Sequence, residues 1–264
     1  MRLSITDDPV VTTVLLARSD RRNAFDQAMF DALEQVGARL AANPPRVVVI
    51  GAEGPHFSSG LDLRPDNPLA QRLLPAIANR DGAEITKLIE DLRRALWALG
   101  RLPCPVIAAV EGMCTGAGLE LVLTADLVVA SEDARFSLPE ARFGFVADLG
   151  GTVRLARRVG ASRATGIILT CREVGAAEAL RIGLVDEVVP PMAALSAAQD
   201  LGRRIAVGSA PAATNAMLAV LRDADAPGAL DAEARAGLDA LMTGEVVRGL
   251  QSFVMKTPLD WTKP

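Results

Sequence analysis

A chain of 264 residues, half of them hydrophobic, is long enough to bury a sizeable core without disulfides or a metal. The net charge of −4, with no basic block, argues against partners such as nucleic acids or anionic membranes. The sequence contains no run of about 18 apolar residues, so no membrane span is predicted. The N-terminal segment MRLSITDDPV lacks the pattern of a signal peptide.

The numbers of cysteines and histidines indicate which cellular compartment and which metal sites are expected. Cys104, Cys114 and Cys171 are odd in number and show no CxxC spacing, which is typical of reduced thiols in a cytoplasmic protein. His56 is the single histidine. A zinc site therefore lacks its usual ligands, and no metal site is predicted.

Short apolar runs alternate with amphipathic stretches along much of the chain. The apolar runs predict strands at 10–16, 47–50, 106–110 and 127–130, and helical spacing predicts helices at 24–41, 85–99 and 119–124. Strands that alternate with helices predict an α/β architecture with buried parallel sheets.

Two other stretches have a different character. Asp62–Ala83 is rich in proline and asparagine, and we interpret it as a long mobile loop beside the site, with room for a short helix. After Pro190 the pattern is purely helical and is broken at Pro211 and Pro227. Helical tails of this kind often pack on neighbouring subunits.

Two turns contain the glycines of most interest, His56–Leu63 (HFSSGLDL) and Gly116–Glu120 (GAGLE). Glycine at the start of a helix lets the backbone approach a ligand, and free N–H groups there point at negative charge. Two such groups from separate turns can form an oxyanion hole, in which each donor contributes about 3–4 kcal/mol. Taken alone, GxG before a helix is more often a tight turn for close packing. A phosphate cradle is disfavoured, because neither GxxxxGK[ST] nor GxGxxG occurs here.

Three acidic residues lie among apolar neighbours. Glu120 is in the first turn of an apolar helix, Glu140 follows Pro139, and Asp148 lies in FGFVADLGG. An isolated carboxylate in such surroundings needs a partner or a raised pKa. Each alone has an ordinary explanation as a helix N-terminal charge, a surface residue or an N-cap, but paired carboxylates with different pKa values can serve as acid and base.

Several ordered segments resemble the enoyl-CoA hydratase/isomerase (crotonase) family, and together they cover nearly the whole chain. They are RRNAF (21–25), HFSSGLDL (56–63), PVIAAVEGMCTGAGLELVLTADLVVAS (105–131), ARFSLPEARFGFVADLGGTVRL (134–155), GAAEALRIGLVDEVVP (175–190) and GLQSFVMK (249–256). Motifs in this order and at these spacings are far more specific than any one of them.

The resemblance implies an α/β crotonase-type spiral of repeated ββα units with a helical C-terminal oligomerisation region. It implies a spiral core with the acyl-CoA site at residues 1–195 and a trimerisation region at 196–264. The expected assembly is a trimer or a hexamer. The expected substrate is an acyl-CoA thioester of fatty-acid or related catabolism, and coenzyme A is part of the substrate, so no separate cofactor is expected.

The resemblance also implies roles for individual residues. The backbone N–H groups of Ser59 and Ala117 would form the oxyanion hole. Coenzyme A would lie along the Phe57–Leu63 turn with its adenine near Asp62 and Leu63. Lys256 would reach the nucleotide phosphates, either in its own or in a neighbouring subunit. The residues expected to bind coenzyme A are Phe57, Gly60, Asp62, Leu63, Gly116 and Lys256.

The carboxylates match two branches of the family. Glu120 and Glu140 match the pair with which hydratases hold one water. Glu140 and Asp148, eight positions apart, resemble the proton shuttles of the Δ3,5-Δ2,4-dienoyl-CoA isomerase branch, although that branch is expected to carry Asp where this chain has Glu120. The hydratase is the first hypothesis and the isomerase is the alternative.

Two further hypotheses come from other functional classes. A serine acyl hydrolase would use Ser59 with His56, but the two residues lie on one turn and no GxSxG elbow occurs. A non-catalytic acyl-CoA-binding homologue is disfavoured by the intact pair of glutamates.

Overall fold

Two β-sheets and their surrounding helices make up the computed structural model, which describes residues 2–226, 229–243 and 245–263. The strands are β1 (Leu3–Thr6), β2 (Val11–Leu16), β3 (Val47–Ala52), β4 (Val106–Val110), β5 (Met113–Thr115), β6 (Leu127–Ser131), β7 (Arg135–Ser137), β8 (Val174–Gly175) and β9 (Glu187–Val189). The α-helices are α1 (Gln27–Ala42), α2 (Pro68–Ala78), α3 (Gly82–Trp97), α4 (Ala117–Val122), α5 (Gly151–Val159), α6 (Ala161–Thr170), α7 (Ala176–Ile182), α8 (Ala194–Gly208), α9 (Pro211–Arg222), α10 (Ala229–Met242) and α11 (Glu245–Met255).

The larger sheet has the strand order β1-β2-β3-β4-β6-β9, and the smaller has the order β5-β7-β8. In the larger sheet only the β1–β2 pair is antiparallel, and β2 through β9 run parallel. The parallel strands are almost continuously apolar because both faces are covered. The predicted α/β architecture with buried parallel strands is confirmed.

From β4 to β7, successive strands alternate between the two sheets. The chain passes from β4 to β5 and into α4, then from β6 to β7 and on to α5, so that each unit places one strand in each sheet before a helix. The predicted spiral of ββα units is therefore confirmed. Because β5 and β7 pair in parallel, the turns that follow them lie at the same edge of the smaller sheet.

The segment predicted as a mobile loop, 62–83, is largely helical. Asn67 caps α2 through a hydrogen bond from the Leu69 N–H, and Pro68 occupies the first turn, where a missing N–H is harmless. Leu69 and Leu73 are buried against the core. The prediction of a long loop is wrong because the prolines and asparagine start and end a helix here, although a short helix had been allowed for.

Helix α8 packs on the face of the larger sheet through Ala194, Ala198 and Ala206, which share an apolar cluster with Val47 and Val129. The boundary predicted between residues 195 and 196 cuts through this helix. Small side chains let α8 lie close to the strands, so α8 packs as part of the core. A domain boundary near Ser209, after α8, fits this packing better.

The helices after α8 expose large apolar side chains in the described part of the chain. The most exposed are Met217, Leu221, Leu238, Met242 and Met255. Pro211 begins α9, whereas Pro227 lies outside the described residues. Among the described helices none is singly long and apolar enough to cross a bilayer, and α8 with α9 meets that test only as a pair bent by 117°.

Candidate active site

The two glycine turns identified in the sequence lie against each other. Gly60 has a φ of +88° and Gly116 a φ of +55°, and a Cβ on Gly60 would lie 3.7 Å from the Gly116 Cα. A parallel bridge between Ser58 and Cys114 holds the turns together. Positive φ and close approach both require glycine at these positions. Leu61 and Ala117 directly follow the two glycines that are in contact.

The free backbone N–H groups belong to Leu61 and Ala117. The Ser59 N–H donates to the Arg22 carbonyl oxygen at 2.9 Å, so it is not available to a ligand. In the bridge to Phe25, the Gly60 carbonyl and the Asp62 N–H face Phe25, and the backbone groups of Leu61 therefore point the other way. Within the described chain neither Leu61 nor Ala117 donates its N–H to a protein acceptor. The prediction of Ser59 as an oxyanion donor is corrected to Leu61, and that of Ala117 is compatible with the geometry.

Gly118 shows that the second turn is also a packing turn. A Cβ at this position would lie 2.6 Å from the Ser58 Cβ. The Ser58 hydroxyl is itself fully used, because it donates to the Asn23 carbonyl and accepts from the Gly60 N–H. The Gly116–Glu120 turn therefore combines close packing against Ser58 with a free backbone N–H group at Ala117.

Several residues predicted to bind coenzyme A have their side chains engaged elsewhere. The Phe57 ring is fully buried in the core. The Asp62 carboxylate pairs with Arg18 and Arg64, each at 2.8 Å, and the Arg64 hydrogen bond above all holds the pKa of Asp62 far below its usual value. These side chains stabilise the turn, so any contact with coenzyme A would come from their backbone. Leu63 is exposed on the same turn.

Lys256 lies just after α11, far along the chain from these turns. It is exposed and adopts a φ of +53°. No hydrogen bond or ion pair joins it to the described residues of the Phe57–Leu63 turn. Its role with the nucleotide phosphates stays a prediction, which a neighbouring subunit would have to satisfy.

Glu120 is a buried carboxylate without a cationic partner in the described chain. It is 3% exposed, and its Oε1 accepts a hydrogen bond from the Gly151 N–H at 2.9 Å. The pKa of Glu120 is raised to about 8, above all by burial. The negative charges of Glu140 and Asp148 contribute to the rise, and the hydrogen bond from Gly151 opposes it. Glu120 is consequently protonated for much of the time near neutral pH.

Glu140 begins a short 3₁₀ helix, Glu140–Phe143, directly after Pro139. Its Oε1 would lie 3.0 Å from a Cβ on Gly116, which is also the residue that caps the helix of Glu120. Its Oε2 is buried and has no hydrogen-bond partner among the described residues. Burial raises the pKa of Glu140, and the charge of Asp148 adds to this.

Asp148 completes the group, held by two residues of α3 that the sequence interpretation missed. The Arg93 guanidinium donates to the Asp148 carbonyl oxygen at 3.1 and 2.6 Å, and the Trp97 N–H donates to the Leu149 carbonyl at 2.7 Å. Burial raises the pKa of Asp148, while the Arg93 charge opposes the rise. The i, i+4 spacing of Arg93 and Trp97 places both residues on one helix face. This spacing is the sequence feature that could have indicated a shared role for them.

The three predicted carboxylates therefore lie close enough to raise one another's pKa values. Groups with raised pKa values in a buried site are suited to transfer protons near neutral pH. The Nδ1 of His56 instead accepts a hydrogen bond from the Met113 N–H at 3.3 Å. A Ser59–His56 pair would lack its base in this arrangement, which disfavours the serine hydrolase hypothesis.

An open cavity of about 970 Å³ adjoins Asp148. It is lined by α3, by residues 146–154 and by α9, and Asp148 is the member of the carboxylate group that faces it. Glu120 and Glu140 do not line the cavity, but Glu120 contacts Gly151, which follows the cavity-lining Gly150.

Comparison with known proteins agrees with this architecture. The family described as enoyl-CoA hydratase/isomerase matches residues 8–264. The 2,3-dehydroadipyl-CoA hydratase of Escherichia coli is 37% identical over 80% of this chain and 78% of its own. The peroxisomal Delta(3,5)-Delta(2,4)-dienoyl-CoA isomerase of Arabidopsis thaliana is 32% identical over 69% of this chain and 66% of its own. The crystal structure of an enoyl-CoA hydratase from Bacillus anthracis superposes with a TM-score of 0.86, covers 99% of both chains and is 27% identical.

The chain belongs to the enoyl-CoA hydratase/isomerase family. Members of this family are hydratases and isomerases of acyl-CoA thioesters, so the chain is an enzyme with lyase or isomerase activity on such substrates. The crotonase fold predicted from the sequence is confirmed. Family membership also disfavours the hypothesis of a non-catalytic homologue.

Proposed function

We propose that this protein is an enoyl-CoA hydratase that adds water across the double bond of a 2-enoyl-CoA. The observation that carries the proposal is the pair of glutamates beside Gly116, of which Glu120 is buried and Glu140 partly buried. Glu120 has a pKa of about 8, and Glu140 presents a buried oxygen without a partner in the described chain. A water molecule between the two carboxyl groups would supply that missing hydrogen bond.

The pair is suited to move both protons of the addition. Near neutral pH the coupled pair holds one proton, and the titration belongs to the pair rather than to either residue. The ionised carboxylate accepts a proton from water while the hydroxyl oxygen bonds to the β-carbon. Electrons of the double bond move to the thioester oxygen. The protonated member then supplies a proton to the α-carbon, the carbonyl re-forms, and one proton remains on the pair.

The enolate oxygen would be stabilised by the N–H groups of Leu61 and Ala117. Both follow glycines that touch, and neither has an acceptor in the described part of the chain. Ala117 is in addition the first residue of α4, where the helix dipole favours negative charge. Donors that need no reorganisation contribute most to stabilising an oxyanion.

Isomerisation of a dienoyl-CoA is the second candidate, and Asp148 is the observation that favours it. Asp148 lies near Glu140 and faces the cavity, and burial raises its pKa. Two carboxylates on one side of a conjugated chain could remove a proton at one carbon and return it at another. The departure is Glu120, since the isomerase branch is expected to carry Asp in this position.

One assay separates the two reactions. A 2-enoyl-CoA and a 3,5-dienoyl-CoA are offered separately, and the loss or gain of conjugated absorbance is followed. Hydration of the first without isomerisation of the second supports the hydratase. The opposite result would assign the isomerase, and in that case Asp148→Asn should abolish turnover.

We also propose that the protein self-associates as a trimer or hexamer through the helices that follow α8. Exposed apolar side chains on α9, α10 and α11, such as Leu221, Leu238 and Leu250, support this. Light scattering should give three or six times the mass of one chain, and a monomer would contradict the proposal. The cytoplasmic location remains a prediction from cysteine usage.

A further inference from the structure

The cavity beside Asp148 carries an excess of positive charge. Two aspartates line its described wall against five arginines, which are Arg93, Arg101, Arg154, Arg157 and Arg222. Arg157 and Arg222 each have a carboxylate partner at 2.7 Å, and Arg93 donates to the Asp148 carbonyl. For Arg101 and Arg154 the described chain offers no ion pair.

Arg101 and Arg154 are instead held over one aromatic ring. Their guanidinium carbons lie 4.9 and 4.4 Å from the centre of the Trp97 ring. The ring is fixed by its hydrogen bond to Leu149 and by contact with Gly150, where a Cβ would lie 3.0 Å from it. Cation–π contacts of this kind contribute only about 0.5–2 kcal/mol each. They orient the two cations without neutralising them.

Arg154 is the least satisfied of these cations. Its Nε is buried and has no hydrogen-bond partner in the described chain. Burial lowers the pKa of Arg154, and repulsion from Arg157, Arg101 and Arg222 lowers it further. A half-buried guanidinium with an unused donor is costly unless an anion binds it. The planar fork of arginine matches a carboxylate better than any other common anion except phosphate.

We propose that Arg101 and Arg154 bind a carboxylate at the distal end of the acyl group, so that the preferred substrates are monothioesters of dicarboxylic acids. This inference rests on the proposed acyl-CoA site. Asp148 belongs both to the carboxylate group around the reacting carbons and to the cavity wall. On this proposal an acyl chain runs from the glutamates past Asp148 and ends in the cavity.

The cavity suits the acyl end of the substrate rather than the coenzyme A end. Coenzyme A is expected along the Phe57–Leu63 turn, and none of the described residues of that turn lines the cavity. The nucleotide phosphates would thus lie on the other side of the thioester, which leaves the acyl group to supply the anion.

The test compares two substrates of equal carbon number, trans-2-hexenoyl-CoA and its analogue in which a carboxylate replaces the terminal methyl group. The wild type should show a kcat/KM at least about ten-fold higher for the carboxylate, as expected for charge-assisted hydrogen bonds. Arg154→Gln and Arg101→Gln should each reduce this ratio about ten-fold, and Arg154→Lys should retain part of it. Arg181→Gln removes an exposed arginine of α7 and serves as the matched control, which should leave the ratio unchanged. A wild-type ratio near one, or a ratio insensitive to both arginines, would overturn the proposal.

A binding measurement keeps this inference separate from the proposed reaction. The chain has two tryptophans, so Trp261→Phe leaves Trp97 as the only indole reporter, and it lies in the cavity wall. Hexanoyl-CoA and its terminal-carboxylate analogue are titrated into this protein and into its Arg154→Gln derivative. Tighter binding of the carboxylate, lost in the derivative, supports the carboxylate site even if neither enoyl-CoA is hydrated. Equal binding would overturn it.

Light scattering identifies the competing explanation. Arg101 and Arg154 could instead pair with acidic residues of a second copy of this chain. If the glutamine variants dissociate the assembly while the substrate ratio is unchanged, the cavity is a subunit contact and the carboxylate proposal is wrong.

Discussion

The Phe57–Leu63 and Gly116–Glu120 turns each hold one buried carboxylate, and the two carboxylates have opposite surroundings. Asp62 is 5% exposed and pairs with Arg18 and Arg64, which lower its pKa. Glu120 is 3% exposed, has no cationic partner in the described chain and has a pKa of about 8. Both side chains are nearly closed to solvent, but Glu120 lies deeper in the protein, so desolvation raises its pKa while the two arginines lower that of Asp62. The carboxylate with cationic partners fixes the fold, and the one without them can exchange protons.

The two turns also contribute to the site in different ways. The first offers a backbone N–H, that of Leu61, while its buried side chains hold the turn in shape. The second offers both a backbone N–H, that of Ala117, and the Glu120 carboxyl group. The comparison predicts that side-chain substitutions in the first turn affect mainly stability and that those in the second affect mainly activity.

The largest expected effect is a difference in kcat between a variant of a proton-transferring carboxylate, Glu140, and a variant of a structural one, Asp62. Glu140→Gln should lower kcat for hydration by about 10³-fold, because the amide cannot exchange the proton. Asp62→Asn should lower the kcat of the folded protein less than about ten-fold, since Asp62 touches Arg18 and Arg64 rather than the carboxylate group. Steady-state kinetics at matched folded fractions, verified by circular dichroism, measures both. Similar losses of kcat in the two variants would contradict the comparison.

The next effect tests which N–H of the first turn is used. Incorporation of an α-hydroxy acid at position 61 replaces the Leu61 N–H by an ester oxygen and should lower kcat about 10²-fold. The same replacement at Ser59 removes the bond to Arg22 and should lower the melting temperature with little change in kcat. A larger loss of kcat at position 59 than at position 61 would show that the Ser59 N–H, and not the Leu61 N–H, stabilises the oxyanion.

A third effect is the opposite pH dependence of stability at the two buried carboxylates. The folded-state pKa of Glu120, about 8, lies above the ordinary value of 4.5, so its stabilising contribution is complete below pH 4.5 and is lost as pH rises toward 8. Glu120→Gln should therefore gain stability relative to wild type over this window, by about 2–4 kcal/mol.

Asp62 should behave in the reverse sense. Its pKa is lowered from 3.8, so its stabilisation is present above pH 3.8 and is lost only as the pH falls below that value. Asp62→Asn should be less stable than wild type at neutral pH by about 3 kcal/mol, because Arg18 loses a buried partner. Urea unfolding across the pH range measures both variants. Parallel stability curves for the two variants would show that the carboxylates do not differ in this way.

The smallest expected effect concerns Asp148. The basic limb of the kcat/KM profile should have an apparent pKa near 8, since the glutamate pair must keep one proton. Asp148→Asn removes a negative charge that raises the pKa of Glu120, so the limb should move to lower pH by about one unit or less. Hydration at the optimum should fall only a few-fold. A loss comparable to that of Glu140→Gln would instead show that Asp148 takes part in the proton transfers of hydration.

The sequence was sufficient for four strands of the larger sheet, for helices α1, α3 and α4, and for the three carboxylates. Apolar runs such as Val106–Val110 predict buried parallel strands because both faces must be covered. The glycine turns and Glu120, Glu140 and Asp148 could be picked out by composition and order, and the structure brings these three carboxylates together. The 62–83 segment was misjudged because proline and asparagine are as suited to begin a helix as to form a loop.

Only the tertiary structure decided which of these groups is free to act. The Ser59 N–H is used by Arg22 and the Asp62 carboxylate by Arg18, and both partners come from a distant part of the sequence. Hydrogen bonds and ion pairs between distant segments leave no local pattern, so neighbouring residues cannot reveal which N–H or carboxylate remains unpaired. For the same reason the sequence did not reveal Arg101 and Arg154. Both lie over the Trp97 ring, and Arg154 reaches it only when α5 packs near the end of α3.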